Sequence, residues 1–212
     1  MLFKQKQTVY WDVDDVILNS LETSIDIINK KYNEPHNLPN KTIKDAKDWN
    51  MKSIYSELKP EQLIDIFECD DFWNNIRLRD DFIQIITKKL LSKYQHCFVT
   101  KGTQLNLELK RDFLKEELSK FNVDFEHFDF IGVELENSKG NIDMSNNILI
   151  DDNIINLLES NAKIKILITN GNNTCYNNAF GSYNDQIPDN FYVVNNLKQV
   201  GEILKFNLEF KL

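Results

Sequence analysis

Six short runs rich in β-branched and aromatic residues recur along the chain: TVYWDV (8–13), HCFVT (96–100), FDFIGV (128–133), NILIDD (147–152), IKILIT (164–169) and FYVV (191–194). Several are almost continuously apolar, the pattern of strands covered on both faces, as in parallel sheets. Helical patterns lie between them. The clearest is LNLELKRDFLKEELSKF (105–121), where Leu105, Leu109, Phe113, Leu114, Leu118 and Phe121 keep an approximate 3.6-residue period beside Lys and Glu. Strand, helix, strand in alternation predicts an α/β fold, a doubly wound, Rossmann-like parallel sheet flanked by helices. With 212 residues, 42% of them hydrophobic, the chain is long enough for one well-buried core with an insertion or for two small domains.

The insertion has an evident place. About eighty residues separate WDVDD from HCFVT, where a simple crossover needs far fewer. The interval holds helical stretches near 20–32, 53–67 and 79–93, with turn-like NEPHNLPNK (33–41) and KDWNMKS (47–53) between them. Residues 19–80 are expected to form a mostly helical cap domain, and residues 1–18 with 81–212 the α/β core. A cap beside the strand C-termini would cover the crevice where open α/β sheets bind ligands.

Three aspartates, Asp12, Asp14 and Asp15, interrupt the first apolar run where its strand should end. Buried anions persist only when hydrogen-bonded, paired or holding a cation. If the chain stays extended, Asp12 and Asp14 point to the same side, toward the crevice. A second acidic pair, Asp151 and Asp152, ends NILIDD and meets the first if the two strands are neighbours. Two carboxylates ~6 Å apart repel by roughly 3 kcal/mol at an effective dielectric of about 20, so the cluster calls for a divalent cation. Its candidate ligands are all oxygens, which favours Mg2+. Thr100, closing HCFVT, offers a hydroxyl, and Lys139 in ENSKGN an ammonium. Carboxylate, metal, hydroxyl and ammonium together suit phosphoryl transfer, in which charge on the transferred group's oxygens needs positioned cations. A calcium loop of EF-hand type is excluded, because its fifth and twelfth positions would be Val16 and Thr23. SKGN is not a nucleoside-triphosphate loop either, since Ser138 stands where that motif needs glycine.

In this order the residues resemble the haloacid dehalogenase superfamily of phosphatases, with Asp12-Val13-Asp14-Asp15-Val16 after an apolar strand, then Thr100, Lys139, and Asp151-Asp152 after ILI. The resemblance implies that Asp12 attacks phosphorus to form an aspartyl-phosphate and that Asp14 protonates the leaving oxygen, then activates water. It further implies that Thr100 and Lys139 bind the phosphate, and that Asp12, Asp14 through its backbone carbonyl, and Asp151 hold Mg2+ with Asp152 in support. Within the superfamily the chain is most similar to the 5'(3')-deoxyribonucleotidases and their bacterial and phage relatives, which implies a nucleoside monophosphate substrate. The stretch IFECDDFWNNI (66–76) resembles their base-covering segment, making Phe72 and Trp73 candidates for stacking on the base. After Thr100 the chain has KGT instead of the family's small residue and proline, and Lys101 is a candidate second phosphate contact.

A net charge of −8, from 25 basic and 33 acidic residues, argues against duplex nucleic acid as a partner and leaves room for a small phosphorylated ligand in a local pocket, which the resemblance implies is a nucleotide. No run approaches the ~18 to 20 apolar residues of a membrane span, and MLFKQKQTVY lacks an apolar leader core, so a cytoplasmic location is expected. Cys69, Cys97 and Cys175 lack zinc spacing and read as reduced thiols. Trp11 reads as core, and His36, His96 and His127 as structural or exposed. The residues are compatible with a homodimer without specifying one. Two rival functions are a phosphatase of nucleic-acid ends, which would need a basic groove, and a non-catalytic binding protein of the same fold, against which the competent residue at every motif position argues.

Overall fold

The computed structural model describes residues 6–46, 51–86, 88–169 and 187–209. Cys175 and part of the turn at 47–53 lie outside them. Six strands, β1 (Thr8–Trp11), β2 (Gln95–Gly102), β3 (Phe128–Glu134), β4 (Ile148–Asp151), β5 (Ile164–Ile168) and β6 (Phe191–Val194), form one sheet in the order β3-β2-β1-β4-β5-β6. Every pairing is parallel. The apolar runs foretell this burial: all of β4 and β5 is buried, as is β2 from His96 to Thr100. Strand order reverses on either side of β1, so the crevice of a doubly wound sheet falls at the β1/β4 boundary.

Register does the next step. Trp11 pairs with Phe98 on one side and Ile150 on the other, and the ladder continues with Asp12 N–H donating to Ile150 O at 2.9 Å. One residue beyond the pairing, Asp12 is therefore level with Asp151. Beneath that end Trp11, fully buried, meets Phe82 edge-on at 5.3 Å, while Phe98 stacks on Phe128 at 4.6 Å. Such aromatic pairs each stabilise by about 0.5–1.5 kcal/mol beyond area burial.

Between β1 and β2 the described residues are mostly helical. α1 (Ser20–Ile28) runs on into a π-helical turn at Asn29–Asn33, followed by α2 (Met51–Ile54), α3 (Pro60–Glu68), α4 (Asp70–Asn75), α5 (Asp80–Ile85) and α6 (Lys88–Lys93). The single helix expected over 53–67 is instead two: α2 ends at Ile54, and α3 begins at Pro60, whose fixed φ suits the first helical position. The stretch over 79–93 likewise divides into α5 and α6. The chain leaves and re-enters the sheet layer through a short antiparallel stem: Leu18 bridges Leu78, Arg77 N–H donates to Asn19 Oδ1 at 2.8 Å, and Arg79 N–H to Ile17 O at 2.9 Å.

After β2 comes α7 (Gln104–Lys120), begun by Thr103, whose side chain caps the Asn106 N–H at 3.2 Å. Its inward stripe is Asn106, Lys110, Leu114 and Leu118. This corrects the apolar stripe expected from sequence: Leu105 is 49% exposed, because nine residues at 3.6 per turn place it roughly 180° around the helix from Leu114. Phe121, at the C-cap, is 46% exposed. The helices α8 (Ile154–Glu159) and α9 (Leu197–Glu209) complete the described elements. No described helix is long and apolar enough to cross a membrane.

Candidate active site

The turn after β1 is tightly wound. Val16 N–H donates to Asp14 O at 2.7 Å, and the N–H groups of Ile17 and Leu18 to Val13 O at 3.1 and 3.0 Å. Asp15 takes a positive φ of 53°, a conformation Asp tolerates, and its Oδ1 accepts from Leu21 N–H at 2.9 Å at the start of α1. The chain does not stay extended through this turn, so Asp12 and Asp14 do not share a strand face. Both nevertheless line one cavity of about 410 Å³ beyond the strand ends, together with Asp15, Ser20, Lys139 and Asp152.

Asp12, Asp151 and Asp152 are 6%, 0% and 6% exposed, and carboxylate oxygens from the three lie within 4.8 Å of one another. Lys139 bridges two of them, its Nζ 2.7 Å from Asp12 Oδ1 and 2.7 Å from Asp151 Oδ2. The sequence explains how that lysine is held. Ser138 Oγ accepts from Gly140 N–H at 2.9 Å and donates to Glu159 Oε2 at 2.5 Å, pinning the turn to α8. A Cβ at Gly140 would stand 2.9 Å from the Glu159 carbonyl oxygen, so only glycine lets the turn approach so closely. Asp151 is steadied in turn by Asn153 N–H at 2.8 Å and by Asn156 Nδ2, at 3.1 and 3.2 Å from its two oxygens.

Burial, against the pull of Lys139 and with Asp151 and Asp14 adding to it, pushes the Asp12 carboxyl up to about 7. Burial works against the charge on Lys139, but Asp12 and Asp151 outweigh it and hold the ammonium above the ordinary lysine range. The cluster fits a hard divalent cation: the donors are carboxylate oxygens, convergent and buried, and a second positive charge would relieve what burial and mutual repulsion impose on Asp12. The Asp14 carboxylate is not part of this cluster. Ser20 Oγ donates to its Oδ1 at 2.7 Å, and Lys110 Nζ stands 2.5 Å from its Oδ2. The Asp14 backbone carbonyl, the atom assigned to metal from sequence, already accepts one hydrogen bond from Val16 and retains one lone pair.

Other sequence candidates lie elsewhere. Thr100 is fully buried behind the cavity wall, its Oγ1 accepting from Lys110 Nζ at 3.0 Å, while Lys101 reaches the wall. Phe72 and Trp73 are not brought to the cavity. Phe72 is 0% exposed in the core, 5.3 Å from Phe67 ring to ring; Trp73 packs on Phe72 and Phe113 and donates from Nε1 to Phe67 O at 3.0 Å. Phe67, in the same sequence segment, is the aromatic that lines the cavity. An adjoining cavity of about 200 Å³ is lined by Ile64, Phe67, Lys101, Asn106, Lys110 and Leu135, among others. Sequence reasoning also passed over Lys110, Ser20 and Asn156. Lys110 carried no signal of its own in a helix rich in Lys and Glu.

No family model and no curated protein matches this sequence. Solved structures do match. A haloacid dehalogenase-like family hydrolase from Streptococcus pneumoniae superposes with a TM-score of 0.61 at 15% identity, over 93% of this chain and 98% of that one. A predicted phosphatase from Clostridium acetobutylicum gives 0.57 at 18% identity, over 98% and 100%. A D,D-heptose 1,7-bisphosphate phosphatase from B. bronchiseptica, solved with magnesium and phosphate, gives 0.52 at 10% identity, over 95% and 99%. The parallel sheet, its strand order and these neighbours together show that the chain has the haloacid dehalogenase-like fold.

Proposed function

We propose that this protein is a Mg2+-dependent phosphomonoesterase that works through an aspartyl-phosphate on Asp12 and acts on nucleoside monophosphates. The observation that carries the reading is the convergence of Asp12, Asp151 and Asp152, the first two ion-paired to Lys139, beside a cavity that Asp14 also lines. The fold neighbours, hydrolases and phosphatases, support the reaction class. The neighbour bound to magnesium and phosphate supports the metal.

In this reading an Asp12 carboxylate oxygen attacks phosphorus as the bond to the leaving oxygen breaks, and protonated Asp14 gives its proton to that oxygen. Asp14, now a carboxylate, takes a proton from water as the water oxygen attacks phosphorus; the bond to Asp12 breaks and inorganic phosphate leaves. Lys139 and Lys101 stand where they can neutralise the phosphate oxygens. Thr100 completes the phosphate set if its hydroxyl is reached on binding. Asp12, Asp151 and Asp152, with the Asp14 carbonyl, would hold Mg2+, which would supply the positive charge that lets an anionic nucleophile meet an anionic ester.

The nucleotide preference draws on the cavity wall. Phe67 and Leu135 give an apolar surface near Asp14 on which a planar base can rest, the role expected from sequence of Phe72 and Trp73. Residues 19–80 act as the cap that places Phe67 there. The test is phosphate release with Mg2+ from deoxynucleoside monophosphates, ribonucleoside monophosphates, sugar phosphates and a 3'-phosphorylated oligonucleotide. Preference for the deoxynucleoside monophosphates is expected. Faster release from the oligonucleotide would transfer the assignment to nucleic-acid ends, and no release from any ester would overturn the enzyme reading.

A further inference from the structure

Lys110 lies in the second turn of α7 and is 1% exposed. Its ammonium has three hydrogens and three acceptors: Asp14 Oδ2 at 2.5 Å, Thr100 Oγ1 at 3.0 Å and Lys101 O at 2.7 Å. None is left over for a substrate, so this lysine acts on the chain's own groups. Burying an ammonium costs several kcal/mol even after relaxation, and its neighbours on the inward stripe are Leu114 and Leu118, which a leucine at this place would extend. The helix forgoes that packing to hold together the turn after β1 and the last residues of β2, two segments that sequence separates widely.

The chemistry of the tripod is directional. An ammonium only donates, so Thr100 Oγ1 must accept and the hydrogen of that hydroxyl is turned away from Lys110. For the same reason Asp14 Oδ2 must stay an acceptor. A proton carried by Asp14 therefore sits on Oδ1, beside Ser20, whose hydroxyl can rotate from donor to acceptor. Further along the same helix face, Asn106 Nδ2 donates to Phe67 O at 2.9 Å and Thr103 Oγ1 to Glu68 Oε1, so α7 grips α3 with one turn and Asp14 with the next.

We propose that Lys110 is a positioning residue for phosphoryl transfer: it fixes Asp14 so that Oδ1 delivers the proton, and it sets the orientation of the Thr100 hydroxyl, without touching the substrate. The inference rests on the phosphomonoesterase reading above. A deoxynucleoside monophosphate leaves as an alkoxide that needs the Asp14 proton, whereas p-nitrophenolate leaves without one. Misplacing Asp14 must therefore hurt formation of the aspartyl-phosphate, read as kcat/KM, far more with the first substrate than with the second, whereas hydrolysis of the shared aspartyl-phosphate, which also uses Asp14, slows equally for both.

The experiment measures kcat and KM with Mg2+ on both substrates for the wild type, Lys110→Met, Lys110→Arg, Asp14→Asn and the Asp14→Asn/Lys110→Met double variant. Lys110→Gln stands in if the methionine variant does not fold, as judged by thermal melting. Lys110→Met is expected to lower kcat/KM on the deoxynucleoside monophosphate about 100-fold and on p-nitrophenyl phosphate about tenfold or less. Lys110→Arg should recover most of the loss, and the double variant should be no slower than Asp14→Asn. Equal losses of kcat/KM on the two substrates, or a double variant slower by the product of the two singles, would overturn the role of Lys110 alone. A folded wild type inert toward both esters would overturn the phosphomonoesterase reading, and this inference with it.

Discussion

At Asp12 a buried carboxylate meets one ammonium and two further carboxylates, and the chemistry proposed for it makes a sharp prediction. Asp12→Asn keeps the shape and should lower phosphate release with saturating Mg2+ by roughly 10,000-fold or more, as for other covalent nucleophiles. Turnover near wild type would rule out the aspartyl-phosphate. His96 shows how a buried titratable group can be purely structural. Trp11 Nε1 donates to His96 Nδ1 at 3.1 Å, so Nε2 carries the hydrogen and faces Leu90 O at 3.3 Å. Protonation would set two N–H groups against each other. Burial lowers its pKa from 6.5 to about 4, with the Leu90 carbonyl opposing and His127 adding to the shift. Between those values the folded chain binds fewer protons than the unfolded one. The neutral imidazole's contribution, roughly 3 kcal/mol, is therefore full above about pH 6.5 and is lost as pH falls toward 4. In urea titrations His96→Gln should lose less stability than wild type between pH 6.5 and 4.5; parallel losses would refute the assignment.

The helix α7 buries one of its leucines fully and leaves another half exposed. Leu105 and Leu114 look equivalent in the run LNLELKRDFLKEELSKF, yet they occupy opposite sides of the helix. Leu114→Ala should cost about 2–5 kcal/mol in urea unfolding, as buried leucine truncations do. Leu105→Ala should stay within about 0.5 kcal/mol, as an exposed substitution. The polar half of the inward stripe, Asn106 and Lys110, was illegible in sequence for a physical reason. A hydrophobic period reports only apolar burial, and these two side chains are buried because particular acceptors face them: Phe67 O for one, Asp14, Thr100 and Lys101 for the other. The same limit explains the base-stacking candidates. Phe67 and Phe72 are both aromatics of IFECDDFWNNI, and only the tertiary packing of α3 and α4 decides that Phe67 turns to the cavity and Phe72 to the core.

For the molecule as a whole, a metal that binds only the folded state links the site to global stability. At free Mg2+ about 100 times its Kd the folded chain should gain about 2.7 kcal/mol, which for a chain of this size raises Tm by roughly 5–10 °C. Asp151→Asn should lose that increment, measured within the variant with and without Mg2+; an undiminished increment would place the metal elsewhere. The six strands were legible because strands buried on both faces leave continuous apolar runs, and the order of Asp12, Thr100, Lys139 and Asp151-Asp152 was legible because each is a local pattern at a strand end or turn. By itself, then, the sequence determined the α/β class and the chemical types available to the site. The tertiary structure decided that β1 lies between β2 and β4, in the register that sets Asp12 level with Asp151, and that Lys110 is buried against Asp14. Those are pairings between segments 85 to 139 residues apart, as the Trp11–His96 and Thr8–Asn147 hydrogen bonds illustrate, and no local pattern encodes which distant surface a side chain will meet.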